Sequence, residues 1–250
     1  MIRVLIIIAA ASFVLAVACL AGAAALGGRE IAEHGWSFPA NIHVRDGDEE
    51  VEISLGDGAR DEPSVTRDLA WSGGPELRIA LPGEVDFTQG STAKITVTGP
   101  ADLAGRVTMA DGVLRLEDDG PRLGFHNQRL RVAVTAPAVK RFVVDGSPTL
   151  TITGYDQPQL AVEINGSGDV IGHGRTLALS VAIAGSGDAD LGQMQTQDAS
   201  IDLSGSGDAR VAPTGSARVS IAGSGDVRLL TKPTSLSRDI RGSGDLHLPD

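Results

Sequence analysis

Five copies of the tetrapeptide Gly-Ser-Gly-Asp place a hydroxyl and a carboxylate at near-regular intervals through the second half of the chain. They begin at Gly166, Gly185, Gly205, Gly223 and Gly242, spaced by 19, 20, 18 and 19 residues. Their carboxylates, Asp169, Asp188, Asp208, Asp226 and Asp245, are the residues whose type and spacing could carry chemistry. If the repeats stack, neighbouring carboxylates stand about one strand spacing apart, roughly 5 Å. Like charges at that distance repel by under about 1 kcal/mol in water and several-fold more where partly buried. Such a column must be solvated, partly protonated, hydrogen-bonded to corner amides, or neutralised by a hard cation. Calcium is the candidate cation, because Asp and glycine-corner carbonyls offer the oxygen ligands it takes. The structural alternative has each Asp closing its own turn by accepting backbone N–H bonds, which explains the spacing by itself. The serines, Ser167, Ser186, Ser206, Ser224 and Ser243, read as hydroxyls paired along the same stack.

Other chemistries find less support. A nucleophile elbow needs glycines two residues on either side of its serine, and no histidine recurs with the motif. His34, His43, His126, His173 and His247 show no metal-ligand spacing. No helix follows the glycines to hold a phosphate at its N-terminus. Asn165-Gly166-Ser167 fits the glycosylation pattern, but it coincides with a corner. Trp36, Trp71 and Tyr155 are the candidate sugar-stacking residues; aromatics so scattered are more often core plugs or caps. No catalytic residue is assigned, and the chain is expected not to be an enzyme.

The elements that must position the repeated residues follow from the flanks. Six, four and two residues before successive motifs stand Leu160/Val162/Ile164, Leu179/Val181/Ile183, Ala199/Ile201/Leu203 and Ala217/Val219/Ile221. Ala189/Leu191, Ala209/Val211, Val227/Leu229 and Leu246/Leu248 follow them with the same alternation. Period-2 alternation marks strands with one buried face, and the three- and four-residue steps of a helix are missing. A unit this short cannot bury its apolar face alone, whereas stacked units can, each adding about 4.8 Å along an axis. The glycine pairs (Gly166 and Gly168, Gly185 and Gly187, Gly205 and Gly207, Gly223 and Gly225, Gly242 and Gly244) then serve as structural corners. A corner of a few residues needs positive φ or close backbone approach. Blades of a propeller would need about 40 residues, twice the spacing seen. Gly146-Ser147-Pro148-Thr149 reads as a degenerate corner, and Gly99-Pro100-Ala101-Asp102 aligns as a more distant one. Arg238 stands where other coils are aliphatic, as suits a terminal cap.

Upstream, alternating strands are readable at Val51–Leu55, Leu77–Leu81, Ile95–Val97, Val113–Leu116 and Leu130–Val134, separated by Gly- and Asp-rich turns. This is read as continuous β structure leading into the solenoid. At the N-terminus, Arg3 precedes an uncharged apolar run from Val4 to Leu26 containing small-residue triplets. The run is a secretory signal, or an anchor if it is not cleaved. Cys19, the only cysteine, is a minor candidate for lipid attachment and leaves the exported part without disulfides. A formal net charge of -11 argues against nucleic acid as partner.

The GSGD corners with their apolar flanks resemble the auto-transporter adhesin head domain called the GIN domain, a bacterial exported β-helix family. The resemblance extends upstream through Val85–Gly90, Lys94–Gly99, Asp111–Leu116, Val132–Pro137 and Phe142–Gly146, covering about residues 81–248. It implies a parallel β-helix and an envelope location, and it carries over no catalytic residue.

The sequence therefore predicts an all-β protein. Residues 1–26 form a signal peptide or anchor helix and 27–80 a β-rich segment. Residues 81–250 form a right-handed parallel β-helix of about 19-residue coils, with its corner repeats from 146. The expected function is that of a non-enzymatic, exported binding or scaffolding module of the periplasm or cell envelope. Its partner is an envelope component, a polysaccharide or a protein surface, and residues 4–26 contact the membrane if retained. The alternatives are a polysaccharide-active β-helix with calcium at the Asp column, or a membrane-tethered envelope signalling accessory.

Overall fold

The computed structural model describes residues 41–46, 49–54, 64–117 and 130–249. The apolar segment 4–26, His34, Trp36 and His126 lie outside the described residues. Residues 1–60 and 61–250 form two separate compact units. In the first, β1 (Asn41–Asp46) and β2 (Glu49–Ser54) pair antiparallel as a hairpin, with Val44 opposite Val51.

In the second unit the alternating apolar residues do what their period dictates. β10 (Arg141–Gly146), β11 (Thr149–Gly166), β12 (Asp169–Gly185) and β13 (Ala189–Gly205) pair in parallel, each with the coil before it. The stack continues through β14 (Ala209–Pro213), β15 (Ser216–Gly223), β16 (Val227–Leu229), β17 (Ser235–Gly242) and β18 (Leu246–His247). Leu160, Leu179, Ala199, Ala217 and Leu236 fall in one register column, and Ile164, Ile183, Leu203, Ile221 and Ile240 in another. Within the stack these side chains are buried, and only the last member of each column, Leu236 and Ile240, is exposed. The chain thus forms a parallel β-solenoid.

Register is strict on the corner side, where Gly146, Gly166, Gly185, Gly205, Gly223 and Gly242 align one above the next. The unequal coil lengths are absorbed elsewhere. Leu191 pairs with Val211 and Gln195 with Ala212, so Gly192, Gln193 and Met194 bulge out of the ladder. Met194 is fully buried there, its flexible thioether filling the space the bulge opens.

The N-terminal half departs from simple sequential stacking. β4 (Glu76–Ala80) pairs in parallel with β10, and β5 (Glu84–Gln89) with the first part of β11, forming the coil beneath Arg141. β8 (Val113–Leu116) and β9 (Arg131–Ala136) pair in parallel on the far side of β4 and β5. A later stretch of chain therefore lies outside an earlier one.

Antiparallel strands finish that end. β6 (Lys94–Pro100) pairs with β9 and with β3 (Ser64–Leu69), and β7 (Val107–Ala110) pairs with β8. They cover backbone groups that a parallel edge would leave open. The six-residue helix α1 (Ala101–Arg106) links β6 to β7. Gly99-Pro100-Ala101-Asp102 is accordingly not a solenoid corner. Gly99 sits opposite Val65 in an antiparallel pair, and Ala101 and Asp102 begin the helix, where the fixed φ of Pro100 suits helix entry. At the other end β17 is exposed along its whole length, with Arg238 beside Val219 and Arg241 paired to Asp239 at 2.7 Å. Among the described residues no helix is long and apolar enough to cross a membrane.

Candidate functional site

The corner column is a hydrogen-bonded ladder. The N–H of Asp188 donates to Oδ1 of Asp169 at 3.2 Å, and that of Asp208 to Oδ1 of Asp188 at 2.8 Å. Asp226 repeats this onto Asp208 at 2.9 Å, and Asp245 onto Asp226 at 2.8 Å. The carboxylates therefore accept from the next coil rather than closing their own turn. Parallel stacking points the corner amides along the solenoid axis, so the nearest donor belongs to the neighbouring coil. The serine amides follow the same direction, with Ser206 donating to the carbonyl of Gly185 and Ser224 to that of Gly205, both at 2.9 Å. Among the described residues no hydrogen bond joins one corner serine hydroxyl to another; the serine backbone, not its side chain, ties the coils.

Glycine is required because the coils meet backbone to backbone. Gly205 has φ of +136°, and a Cβ there would lie 2.0 Å from the Gly185 carbonyl oxygen. Gly207 would place its Cβ 2.0 Å from the Gly187 oxygen. Gly168, Gly187, Gly225 and Gly244 meet a carbonyl of the coil before in the same way. Gly146 pairs in register with Gly166; Thr149 stands where the later coils have Asp, and the Pro148 carbonyl accepts the Asp169 amide at 2.9 Å.

The Asp column is exposed except at Asp226, which is half-buried. The Asp245 amide, and then His247 with Nε2 3.5 Å away, hold the Asp226 carboxyl below its usual range. Among the described residues no three His, Cys, Asp or Glu side chains converge as a metal centre.

The remaining candidates have structural surroundings. Tyr155 is buried, its hydroxyl within 2.6 Å of the Gln159 carbonyl and 3.1 Å of that of Val139. Burial pushes its phenol pKa up. Phe142 packs edge-on against both Phe87 and Tyr155, making an aromatic cluster inside the solenoid, at the coils of β5, β10 and β11. Trp71 packs half-buried against the same core. Asn165 donates to Asp145 at 3.0 Å and to Glu163 at 3.1 Å, cross-linking adjacent coils. His173 bonds Gln193 in the next coil at 2.9 Å, away from His247.

Sequence reasoning missed a groove on another flank. It holds about 690 Å³ and runs along the axis from Lys140 and Arg141 to Ser235 and Leu236. Its floor is the Leu160, Leu179, Ala199, Ala217 column, and serines line it in four successive coils, from Ser180 to Ser237. Asp198 sits inside it, accepting from the amide and hydroxyl of Ser216 at 2.8 and 2.6 Å. That hydroxyl, and then that amide, lower the Asp198 carboxyl pKa. The available signal was the in-register serines Ser180 and Ser200, legible only once the registers were fixed.

Comparison with known proteins meets this geometry. The model of the family described as "Putative auto-transporter adhesin, head GIN domain" matches residues 75–233. A "putative adhesin" from Bacteroides fragilis NCTC 9343 shares the fold at a TM-score of 0.61 and 19% identity, over 74% of this chain and 97% of that one. A "putative adhesin" from Parabacteroides merdae ATCC 43184 aligns with a TM-score of 0.49 and 16% identity, over 75% of this chain and 96% of its own. A "putative lipid binding protein" from Parabacteroides distasonis ATCC 8503 gives a TM-score of 0.45 and 19% identity, over 75% and 97%. No curated protein sequence matches the chain.

Proposed function

The chain belongs to the GIN-domain family of adhesin heads, and from that premise we propose that it is a non-enzymatic, exported module of the cell envelope that binds a surface component along its solenoid. The observation that carries this reading is the division of labour between two flanks. On one, the repeated carboxylates serve the fold by accepting amides of the next coil. On the other, an open groove crosses successive coils without being filled by any side chain of the described residues. The apolar run from Val4 to Leu26 supports export.

Export and the non-enzymatic role are tested together. The full chain, tagged at its C-terminus and expressed in its bacterium, is expected in the envelope fraction, accessible to added protease in whole or outer-membrane-permeabilised cells. N-terminal sequencing distinguishes a cleaved signal from a retained anchor. Cytosolic fractionation would overturn the reading. So would hydrolysis of an envelope polysaccharide that a single Asp substitution abolishes.

A further inference from the structure

The groove carries a more specific assignment, which rests on the reading of the chain as an envelope-binding module: we propose that it binds a linear, carboxylate-bearing polysaccharide lying parallel to the solenoid axis.

Charge is the first argument. Lys140 and Arg218 both face the groove, and neither has an ion-pair or hydrogen-bond partner for its side chain among the described residues. Arg141, beside Lys140, is already held by Glu163 at 2.5 Å and Glu76 at 3.7 Å. Register passes from Arg141 through Ala161, Ser180 and Ser200 to Arg218. The two free cations therefore stand about four coil rises apart, roughly 19 Å. On a protein of net charge -11, the groove is a local exception that attracts an elongated anion. Its one unpaired-cation pair, Lys140 and Arg218, outweighs the Asp198 carboxylate, whose Oδ1 is already taken by the amide and hydroxyl of Ser216.

Repetition is the second argument. Ser180, Ser200, Ser235 and Ser237 line the groove with hydroxyls that make no hydrogen bond among the described residues. Such hydroxyls occur in three of the groove's coils, with Ser180 and Ser200 one strand spacing of about 4.8 Å apart, and match a ligand that itself repeats at about the length of a sugar ring and carries hydroxyls throughout.

Two other occupants are disfavoured by the same geometry. The floor residues Leu160, Leu179, Ala199 and Ala217 are only 1%, 3%, 5% and 3% exposed, so an acyl chain would remove little further apolar surface from water. From β10 to β15 each strand is paired on both sides, so an extended peptide finds no free backbone edge to join.

The test uses the full chain with three probes: oligogalacturonate, its methyl ester, and vesicles containing phosphatidylglycerol. Calorimetric titration is expected to show binding of oligogalacturonate that weakens as salt is raised, with the ester and the vesicles not bound. The double variant Lys140→Glu/Arg218→Glu should lose about tenfold or more in affinity. Ser200→Trp should block the groove to similar effect, while Arg228→Glu/Lys232→Glu, an equal charge change outside the groove, should bind as the parent does. Circular dichroism and melting temperature confirm that each variant is folded. Equal binding of the ester, binding of vesicles alone, no binding of the uronate, or an undiminished double variant would overturn the proposal. Envelope localisation with no uronate binding sinks this assignment alone, and uronate binding by a cytosolic protein sinks only the functional reading it rests on.

Discussion

The backbone N–H of Asp208 donates to Oδ1 of Asp188, 2.8 Å away in the preceding coil. This one relationship turns a column of like charges into a structural device, since each of Asp169, Asp188, Asp208 and Asp226 gains a fixed donor that offsets its repulsion from the next. What the ladder requires is an oxygen acceptor, not a charge. Asp188→Asn should therefore hold the melting temperature near that of the parent, because the amide oxygen can still accept and the repulsions from Asp169 and Asp208 are both removed. Asp188→Leu leaves the Asp208 amide without its partner and should lower it by a few degrees. A larger loss in the Asn variant than in the Leu variant would mean that the charge itself is what matters.

Gly205→Ala should be among the most damaging single changes in the chain. Its Cβ would stand 2.0 Å from a backbone oxygen at φ of +136°, and neither coil can retreat without breaking the ladder. A loss of at least about 3 kcal/mol is expected in urea denaturation. Gly74→Ala provides the contrast, with nothing within 4 Å of the added Cβ, and should change stability by less than about 0.5 kcal/mol.

Tyr155→Phe isolates the buried hydroxyl of the aromatic cluster. The ring contact with Phe142 survives, while the Gln159 carbonyl loses the phenol that stands 2.6 Å from it. The Val139 carbonyl keeps the Gln157 amide as a donor at 2.9 Å. The expected cost is about 1–2 kcal/mol, against about 3–5 kcal/mol for Tyr155→Ala, which also removes a ring from the aromatic cluster. Equilibrium urea melts of both variants measure the difference.

Acid should loosen the protein in a defined window. Asp156 is held below the usual carboxylate range by its hydrogen bond from Arg175, Asp198 by the hydroxyl and amide of Ser216, and Asp226 by the Asp245 amide. A folded-state pKa below the unfolded one means that the unfolded chain takes up protons first. The stability these groups contribute is thus complete above the unfolded value of about 4 and is lost as pH falls through the lowered ones. Melting temperature should be flat between about pH 8 and 5 as far as these groups decide it, and fall below about pH 4. In Asp198→Asn the fall should be shallower, and an unchanged slope would remove Asp198 from this account.

How far the fold was legible varies along the chain. From Gly146 onward the alternation of apolar residues and the glycine corners were sufficient, because every interaction that matters repeats with the sequence. Leu160 predicts Leu179, and each coil supplies what the next must cover. Between Val107 and Ala136 that logic failed. The strands themselves could be read, but nothing local says that Ile79 lies between Leu114 and Val144. Gly99-Pro100-Ala101-Asp102 showed the same gap, resembling a corner in letters while pairing antiparallel in space. The carboxylate column was visible as a pattern, yet the partner of each oxygen was not, since the donor sits about a whole coil away in sequence.

By itself, then, the sequence determined the period, the strand faces and the need for glycine at the corners, all properties of one coil and its immediate copy. The tertiary structure decided the order of coils in the N-terminal half, the donor to each Asp, and the groove that joins Lys140 to Arg218. Those depend on residues brought side by side by register. Register is a sum of small pairing preferences over many coils, which no single segment of the chain contains.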